Sequence, residues 1–226
     1  WYIRTRPKVK EIFKELWGTD DLIVSYDGSC YMEKDCKVNN KVWTHTDQKS
    51  PRENEPDIVK CVQGFVSLTD NDHKTFLCYE GSNKLHKEYH ISNNIVTTKN
   101  WHKIDLDYLE EIKDKKRILS VKKGSLVLWD SRTFHQNTYG DEKNNEERLV
   151  QYVCMLPRNH KDNTESNRKK RLKYFEDKRT TSHWPCPVKV NGLQPHTWGD
   201  KSKEVNYKNL PKIDLDDMIN NIKKLI

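Results

Sequence analysis

The chain has 226 residues, with 41 Lys and Arg against 34 Asp and Glu, which gives a formal net charge of +7 at pH 7. Hydrophobic residues make up 34% of the sequence and charged residues 33%, so one sizeable domain with a compact core and many solvated loops is expected. The modest positive charge is compatible with an anionic partner but does not establish one. No apolar run is long enough for a transmembrane helix, which excludes an ordinary membrane span.

The six cysteines show no C-x-x-C pair and no zinc-ribbon spacing. Cys61, Cys78 and Cys154 lie within apolar runs, where cysteine behaves as a small buried hydrophobe. We therefore expect reduced thiols in a cytoplasmic protein. No secretory leader is visible, although a trimmed N-terminus is compatible with a chain that begins at Trp1.

The first half of the chain predicts one helix followed by several strands. A helix is predicted over 7–17, because Pro7 opens it, apolar residues recur at helical spacing and Gly18 follows. Strands are predicted over 22–26, 41–46, 58–68 and 75–79, with a polar loop over 50–57. Apolar residues fall on both faces of 58–68, which is typical of a strand inside a sandwich or barrel.

The second half predicts more strands and then helices. Asp107 and Glu110 match a capping box at the start of a short helix. Strands are predicted over 118–121, 126–129 and 148–156, followed by a basic helix from Arg168, an irregular aromatic arm and an amphipathic helix over 214–226. We interpret the chain as a single domain, 1–226, that is mainly β with flanking helices. Its β-core covers about 41–157, and the C-terminal arm and helices cover 158–226.

Three residues predict a metal site. His45 and Asp47 are two residues apart, so on extended backbone their side chains point to the same side. His135 follows the strand 126–129 and is the candidate third ligand. Two histidines and one carboxylate form the facial triad of non-haem Fe(II) oxygenases, with three positions left open. A chelating keto acid and O2 would fill those positions, so we expect Fe(II), 2-oxoglutarate and O2.

Arg148 is the candidate ligand for the cosubstrate. A guanidinium on the inner face of an apolar strand requires a carboxylate partner, and the distal carboxylate of 2-oxoglutarate suits its bidentate geometry. The alternative is an ordinary ion pair with Glu146 or Glu147. Gln63 either contacts the cosubstrate or satisfies neighbouring backbone, and Asn137, on the face of the third metal ligand, has the same two interpretations.

The order of these residues resembles the phytanoyl-CoA dioxygenase-like 2-oxoglutarate oxygenases. The resemblance runs over about 43–156 and also rests on the stretches 62–70, 79–86 and 130–135. It implies a double-stranded β-helix, a jelly-roll or cupin-like core. It also implies a dioxygenase that hydroxylates an unidentified organic substrate with release of succinate and CO2.

The sequence departs from the family pattern where substrate would lie. Glu80 stands at a usual Pro, Asn83 stands at a usual His, and 71–74 replaces a Gly-rich turn, which weakens any transfer of an acyl-CoA substrate. Asp47 is retained, which argues against the halogenating members. Two alternatives stay open: the same chemistry on a macromolecule (a protein side chain or nucleic acid), and a non-catalytic β-helix binding module.

A small-molecule substrate is the expected partner, with an anionic one as a particular case. Two stretches are candidates to cover the site. The loop 50–57 suits a mobile lid. The arm 168–198 either contacts substrate through Arg168–Arg171 and Trp184 or has a structural role only. The other histidines are expected in loops: His73, His86, His90, His102, His160, His183 and His196.

Overall fold

The structure is a computed structural model that describes residues 1–36, 41–140 and 145–226. The chain forms two compact units. The first comprises Trp1–Cys30, Gln63–Val66 and Gln151–Ile226, and the second comprises Tyr31–Val62 and Ser67–Val150. The single domain predicted over 1–226 stays a prediction.

Three α-helices lie in the first unit: α1 (Pro7–Trp17), α4 (Glu165–Glu176) and α5 (Ile219–Lys223). Helix α1 has the predicted bounds and ends at Gly18, whose φ of 68° is the left-handed conformation that terminates helices. The side chain of Thr164 accepts a hydrogen bond from the Asn167 N–H and so caps α4. Helix α5 follows a short 3-10 helix, Asp216–Met218, and is shorter than the predicted helix over 214–226.

The strands of the first unit are built around β10. Strand β1 (Leu22–Val24) pairs antiparallel with β10 (Arg148–Pro157), with Ile23 opposite Leu156. Strand β4 (Val62–Ser67) lies on the other side of β10. Strand β4 is entirely buried and six of the ten β10 residues are buried, so the prediction of a two-faced apolar strand at β4 is confirmed, with shorter bounds.

A second antiparallel sheet lies within the second unit. Its strands follow the order β6-β3-β9-β5-β7, and every recorded pairing between them is antiparallel. The bounds of these strands are β3 (His45–Thr46), β5 (Phe76–Tyr79), β6 (His102–Lys103), β7 (Lys116–Ile118) and β9 (His135–Asn137). The predicted strand over 118–121 is therefore displaced, and Val121 forms only an isolated bridge with Asn71.

Strand β8 (Leu126–Asp130) runs beside the chain at both ends of β4. Within the second unit, the Ser131 N–H donates to the Cys61 carbonyl at 3.0 Å, and the Ser67 N–H donates to the Ser125 carbonyl at 3.0 Å. Successive strands from β7 to β10 thus alternate between two antiparallel sheets, as in a jelly roll. The predicted fold class, mainly β with flanking helices, is confirmed. Strand β2 (Ser29–Met32) was not predicted.

Helix α2 (Ser82–Ser92) was missed by the sequence analysis. Its buried face carries Ser82, His86, Tyr89 and His90, which are mostly polar, so the apolar periodicity that identifies a helix is absent. The expectation of loop positions was consequently wrong for His86 and His90, and also for His102, which lies in β6.

Helix α3 (Leu106–Glu111) begins earlier than predicted. Its N-cap residue is Asp105, so the capping box assigned to Asp107 was wrong. None of the six cysteines forms a disulfide within the described chain. Among the described residues, no helix is long and apolar enough to cross a membrane.

Candidate metal centre

Three buried side chains converge in the second unit. His45 in β3 lies directly opposite His135 in β9, and Asp47 follows β3 by one residue. The Nε2 atom of each histidine lies 3.5 Å from Oδ2 of Asp47. One ligand atom from each residue lies within 4.8 Å of the others, a spacing that could hold a metal ion. The structure therefore brings together the three residues proposed as ligands.

Hydrogen bonds fix the orientation of both imidazole rings. Nδ1 of His45 lies 3.2 Å from the Trp43 carbonyl oxygen, and Nδ1 of His135 lies 2.9 Å from the Thr133 carbonyl oxygen. A carbonyl oxygen only accepts, so both Nδ1 atoms must carry the proton. Nε2 is then the nitrogen of each ring that faces Asp47, and in the neutral Nδ1–H tautomer its lone pair can bind a metal ion.

The protonation of His135 also suits metal binding. Burial lowers the pKa of His135 below its ordinary value, and the neighbouring His45 lowers it further. Hydrogen bonding and attraction from Asp47 oppose these effects. A lowered pKa keeps the imidazole neutral near pH 7, which is the form that binds a cation.

Hydrogen bonds also hold the backbone on either side of His45 in place. The Asp47 N–H donates to the Ser131 carbonyl at 2.9 Å. The side-chain oxygen of Gln136 accepts from the Trp43 N–H at 3.1 Å and from the Thr44 hydroxyl at 2.8 Å. Sequence analysis missed Gln136. Its place in the sequence between His135 and Asn137, two proposed site residues, is the signal that could have drawn attention to it.

Gln48, the residue after Asp47, connects this part of the chain to helix α2. Its side-chain oxygen accepts from the Ser131 hydroxyl at 2.9 Å and from the Lys60 N–H at 3.1 Å. The His86 ring has Nε2 3.0 Å from the Gln48 carbonyl oxygen and Nδ1 3.2 Å from both carboxylate oxygens of Asp57. Both ring nitrogens of His86 therefore lie within hydrogen-bonding distance of an acceptor.

The loop 50–57 also contacts α2. Lys87 donates to the carbonyls of Glu53 and Glu55, each at 2.8 Å. These contacts, together with the His86–Asp57 pair, attach the loop to the helix. Its proposed role as a mobile lid stays a prediction.

Aromatic rings cover the His135 side of the centre. The Phe76 ring stacks on His135 with centroids 5.4 Å apart, and the Trp129 ring lies 5.2 Å from the same imidazole. Phe76 and Trp129 are themselves buried. An environment with little water has a low dielectric constant, which strengthens the attraction between a cation and its ligands.

Arg148 is the first residue of β10 and belongs to the second unit, where only 1% of its surface is exposed. One of its alternative partners is engaged elsewhere. The carboxylate of Glu146 accepts from the backbone N–H groups of Asp72, His73 and Lys74 at 2.9–3.2 Å. These bonds lower the pKa of Glu146 despite the opposing effect of its partial burial.

The other two candidate cosubstrate residues lie on different strands. Asn137 is half-buried on β9, two residues beyond His135. Gln63 is buried on β4, in the first unit. The roles assigned to Arg148, Gln63 and Asn137 stay predictions.

The basic segment in α4 is largely used for structure. Arg171 is 1% exposed and donates to the carbonyls of Val24, Pro185 and Leu225 at 2.8–3.0 Å. Lys169 pairs with Glu165 at 2.7 Å on the same helix. Arg171 thus stabilises the first unit.

Comparisons with known proteins give one curated relative at appreciable identity. No protein-family model matches the chain. The "Ava biosynthesis cluster protein O" of Aspergillus versicolor is 30% identical over 178 residues, which cover 70% of this chain. The chain spans about half of that relative's length, 54%.

The comparison with solved structures gives matches of low identity and low TM-score. HygX from Streptomyces hygroscopicus, with nickel, 2-oxoglutarate and hygromycin B bound, is 13% identical with a TM-score of 0.44, over 69% of this chain and 64% of HygX. The epimerase SnoN, in complex with Fe3+, alpha ketoglutarate and nogalamycin RO, is 13% identical with a TM-score of 0.44, over 68% of this chain and 57% of SnoN.

Proposed function

We propose that the chain is an Fe(II)- and 2-oxoglutarate-dependent dioxygenase that hydroxylates a small organic substrate, with release of succinate and CO2. The observation that carries this proposal is the convergence of His45, Asp47 and His135, with Nδ1 of both imidazoles held by a backbone carbonyl. The donor set fits Fe(II), since it offers two imidazole nitrogens and one carboxylate and no thiolate.

Each residue has a defined task in this proposal. Nε2 of His45, Nε2 of His135 and the Asp47 carboxylate would hold the ferrous ion, with three coordination positions left for other ligands. The bound ion would supply the reduction of O2 coupled to oxidative decarboxylation of 2-oxoglutarate. The carbonyls of Trp43 and Thr133 keep both Nδ1–H groups occupied, so neither ring can turn away.

Arg148 is proposed to bind the far carboxylate of 2-oxoglutarate. A buried guanidinium is costly unless an anion or several acceptors compensate it, and a planar carboxylate matches its paired donors. Gln63 and Asn137 are proposed as secondary contacts of the cosubstrate. The membership proposed for the chain is the 2-oxoglutarate oxygenase superfamily, with the phytanoyl-CoA dioxygenase-like group as the finer assignment.

A small-molecule substrate is favoured over a macromolecule. The name of the curated relative associates that protein with a biosynthesis cluster. The basic segment that supported a nucleic-acid substrate also loses weight, since Arg171 is buried and Lys169 is paired with Glu165. A cytoplasmic location stays a prediction.

The decisive experiment measures metal binding and succinate release in parallel. Anaerobically loaded Fe(II) protein should release succinate from 2-oxoglutarate when O2 and a metabolite extract are added, and product analysis would then identify the substrate. His135→Ala should abolish succinate release and weaken binding of Mn(II), measured by titration of the metal-free protein.

His196→Ala provides the matched control, since this histidine is exposed and lies in the first unit. It should leave both readouts unchanged. Unaltered Mn(II) affinity in His135→Ala would show that the ligand assignment is wrong. Tight metal binding without succinate release from any extract would favour the non-catalytic binding module.

A further inference from the structure

Two tryptophans stack on one of the candidate metal ligands. The Trp43 ring lies 4.9 Å from the His45 ring at an interplanar angle of 16°, and the Trp101 ring lies 5.6 Å from it at 27°. Near-parallel rings at these distances are in stacking contact. His45 thus has indole rings packed on it, in the same unit as the other two ligands.

The strand register puts Trp101 on the ligand face of the sheet. Strand β6 pairs with β3 so that Lys103 is opposite His45 and His102 is opposite Thr46. Continuing this register by one residue puts Trp101 opposite Asp47. Residues directly opposite on antiparallel strands project from the same face of the sheet, and the ring contact with His45 is the matching diagonal neighbour.

Exposure separates Trp101 from the rest of the centre. The three ligands are only 4–5% exposed, whereas Trp101 is 50% exposed. Strand β6 is the last strand in the order of this sheet, so Trp101 lies at its edge. A large aromatic side chain that stacks on a ligand and leaves half its surface open offers a binding face for another ring.

We propose that Trp101, supported by Trp43, binds a planar apolar ring of the substrate beside the metal ligands. This inference rests on the proposed oxygenase function and narrows its substrate to ring-bearing organic molecules. Indole side chains are suited to this task, because they present a wide apolar face and lose little conformational freedom on binding. Trp101 would then position the ring near His45 and Asp47 without contributing to metal binding.

The test uses indole as the probe and Mn(II) as the reporter ion. The protein is loaded with Mn(II) and 2-oxoglutarate without O2, and the relaxation of the indole protons is measured by NMR. A paramagnetic ion accelerates relaxation only for protons held close to it, so the signal reports binding beside the metal. Addition of EDTA should abolish the enhancement, and cyclohexanol, which is apolar but not planar, should give little of it.

Trp101→Ala should weaken indole binding about tenfold, and Trp101→Phe should restore most of it, because a stacking face is regained. The matched control is Trp198→Ala, since Trp198 is 83% exposed and lies in the first unit. It should bind indole as the wild type does. Circular dichroism and unchanged Mn(II) affinity would establish that the Trp101 variants are folded.

The inference is overturned by three results: no Mn(II)-dependent enhancement in the wild type, equal indole affinity in Trp101→Ala, or equal enhancement with cyclohexanol. Failure of the proposed function gives a different result, because it appears as absent succinate release while the indole measurement needs no turnover. Succinate release without any effect of Trp101 on indole binding would overturn the ring-binding inference alone.

Discussion

Acidification from pH 7 to pH 4 should destabilise the protein through His90. This side chain is 1% exposed on α2, and its Nδ1 lies 2.7 Å from the His86 carbonyl oxygen. Burial lowers the pKa of His90 from 6.5 to about 4, opposed by the hydrogen bond to the His86 carbonyl and by the charge of Asp57, and assisted by repulsion from the His86 and His102 rings. Its buried Nε2 has no hydrogen-bond partner among the described residues, so a proton bound there would not be stabilised by a hydrogen bond.

The sign and size of the effect follow from linkage. Between pH 6.5 and about 4, the unfolded chain binds a proton at His90 and the folded chain does not, so the free energy of unfolding falls as the pH falls. The loss is complete near pH 4, where the folded state also takes up the proton. A pKa gap of this size corresponds to roughly 3 kcal/mol.

The assay is urea unfolding of metal-free protein at several pH values between 7 and 4, followed by circular dichroism. His90→Gln removes the titrating ring and keeps a hydrogen-bonding group, so its stability relative to the wild type should improve by roughly 3 kcal/mol over this range. His73→Gln is the control, since His73 is exposed. Parallel pH profiles for His90→Gln and the wild type would refute the reasoning.

Three further predictions concern buried polar contacts. Arg148→Ala should raise the apparent KM for 2-oxoglutarate roughly 10–100-fold in a succinate-release assay, with partial recovery in Arg148→Lys; an unchanged KM would contradict its role. Gln136→Leu should cost about 1–3 kcal/mol of unfolding free energy, because the Thr44 hydroxyl and a backbone N–H lose their acceptor; unaltered urea unfolding would argue against it. Arg171→Met should lower the free energy of unfolding by about 3 kcal/mol or more, because three buried carbonyls lose their donor. Lys169→Met removes only an exposed ion pair and should cost less than about 1 kcal/mol. Equal losses in the two variants would contradict the structural role of Arg171.

The sequence predicts those elements whose local pattern and tertiary role agree. Helix α1 was predicted at its observed bounds, because its apolar spacing faces a core and Gly18 provides a left-handed terminus. Helix α2 was not predicted, because its buried face is mostly polar and His86 is held there by Gln48 and Asp57, which lie far away in the chain. Apolar periodicity cannot report a buried face that is satisfied by hydrogen bonds.

In the candidate site too, the sequence predicts what depends on local spacing and misses what depends on distant segments. The spacing of His45 and Asp47 implied one face, and the structure adds the opposite position of His135 in the sheet. Sequence patterns alone could not predict the Nδ1 contacts or the position of Trp101, because both depend on strand pairing between distant segments.

One imidazole closes the loop that follows the Asp47 carboxylate. His86 contacts Gln48 where the loop begins and Asp57 where it ends, so a single ring acts as a non-covalent cross-link across ten residues. Lengthening a flexible loop whose ends are already joined costs little, about 0.6 kcal/mol for each doubling. Residues at the loop tip can therefore be inserted, deleted or exchanged while Asp47 keeps its position, which makes this segment a part of the candidate metal centre's surroundings that tolerates changes of length and sequence.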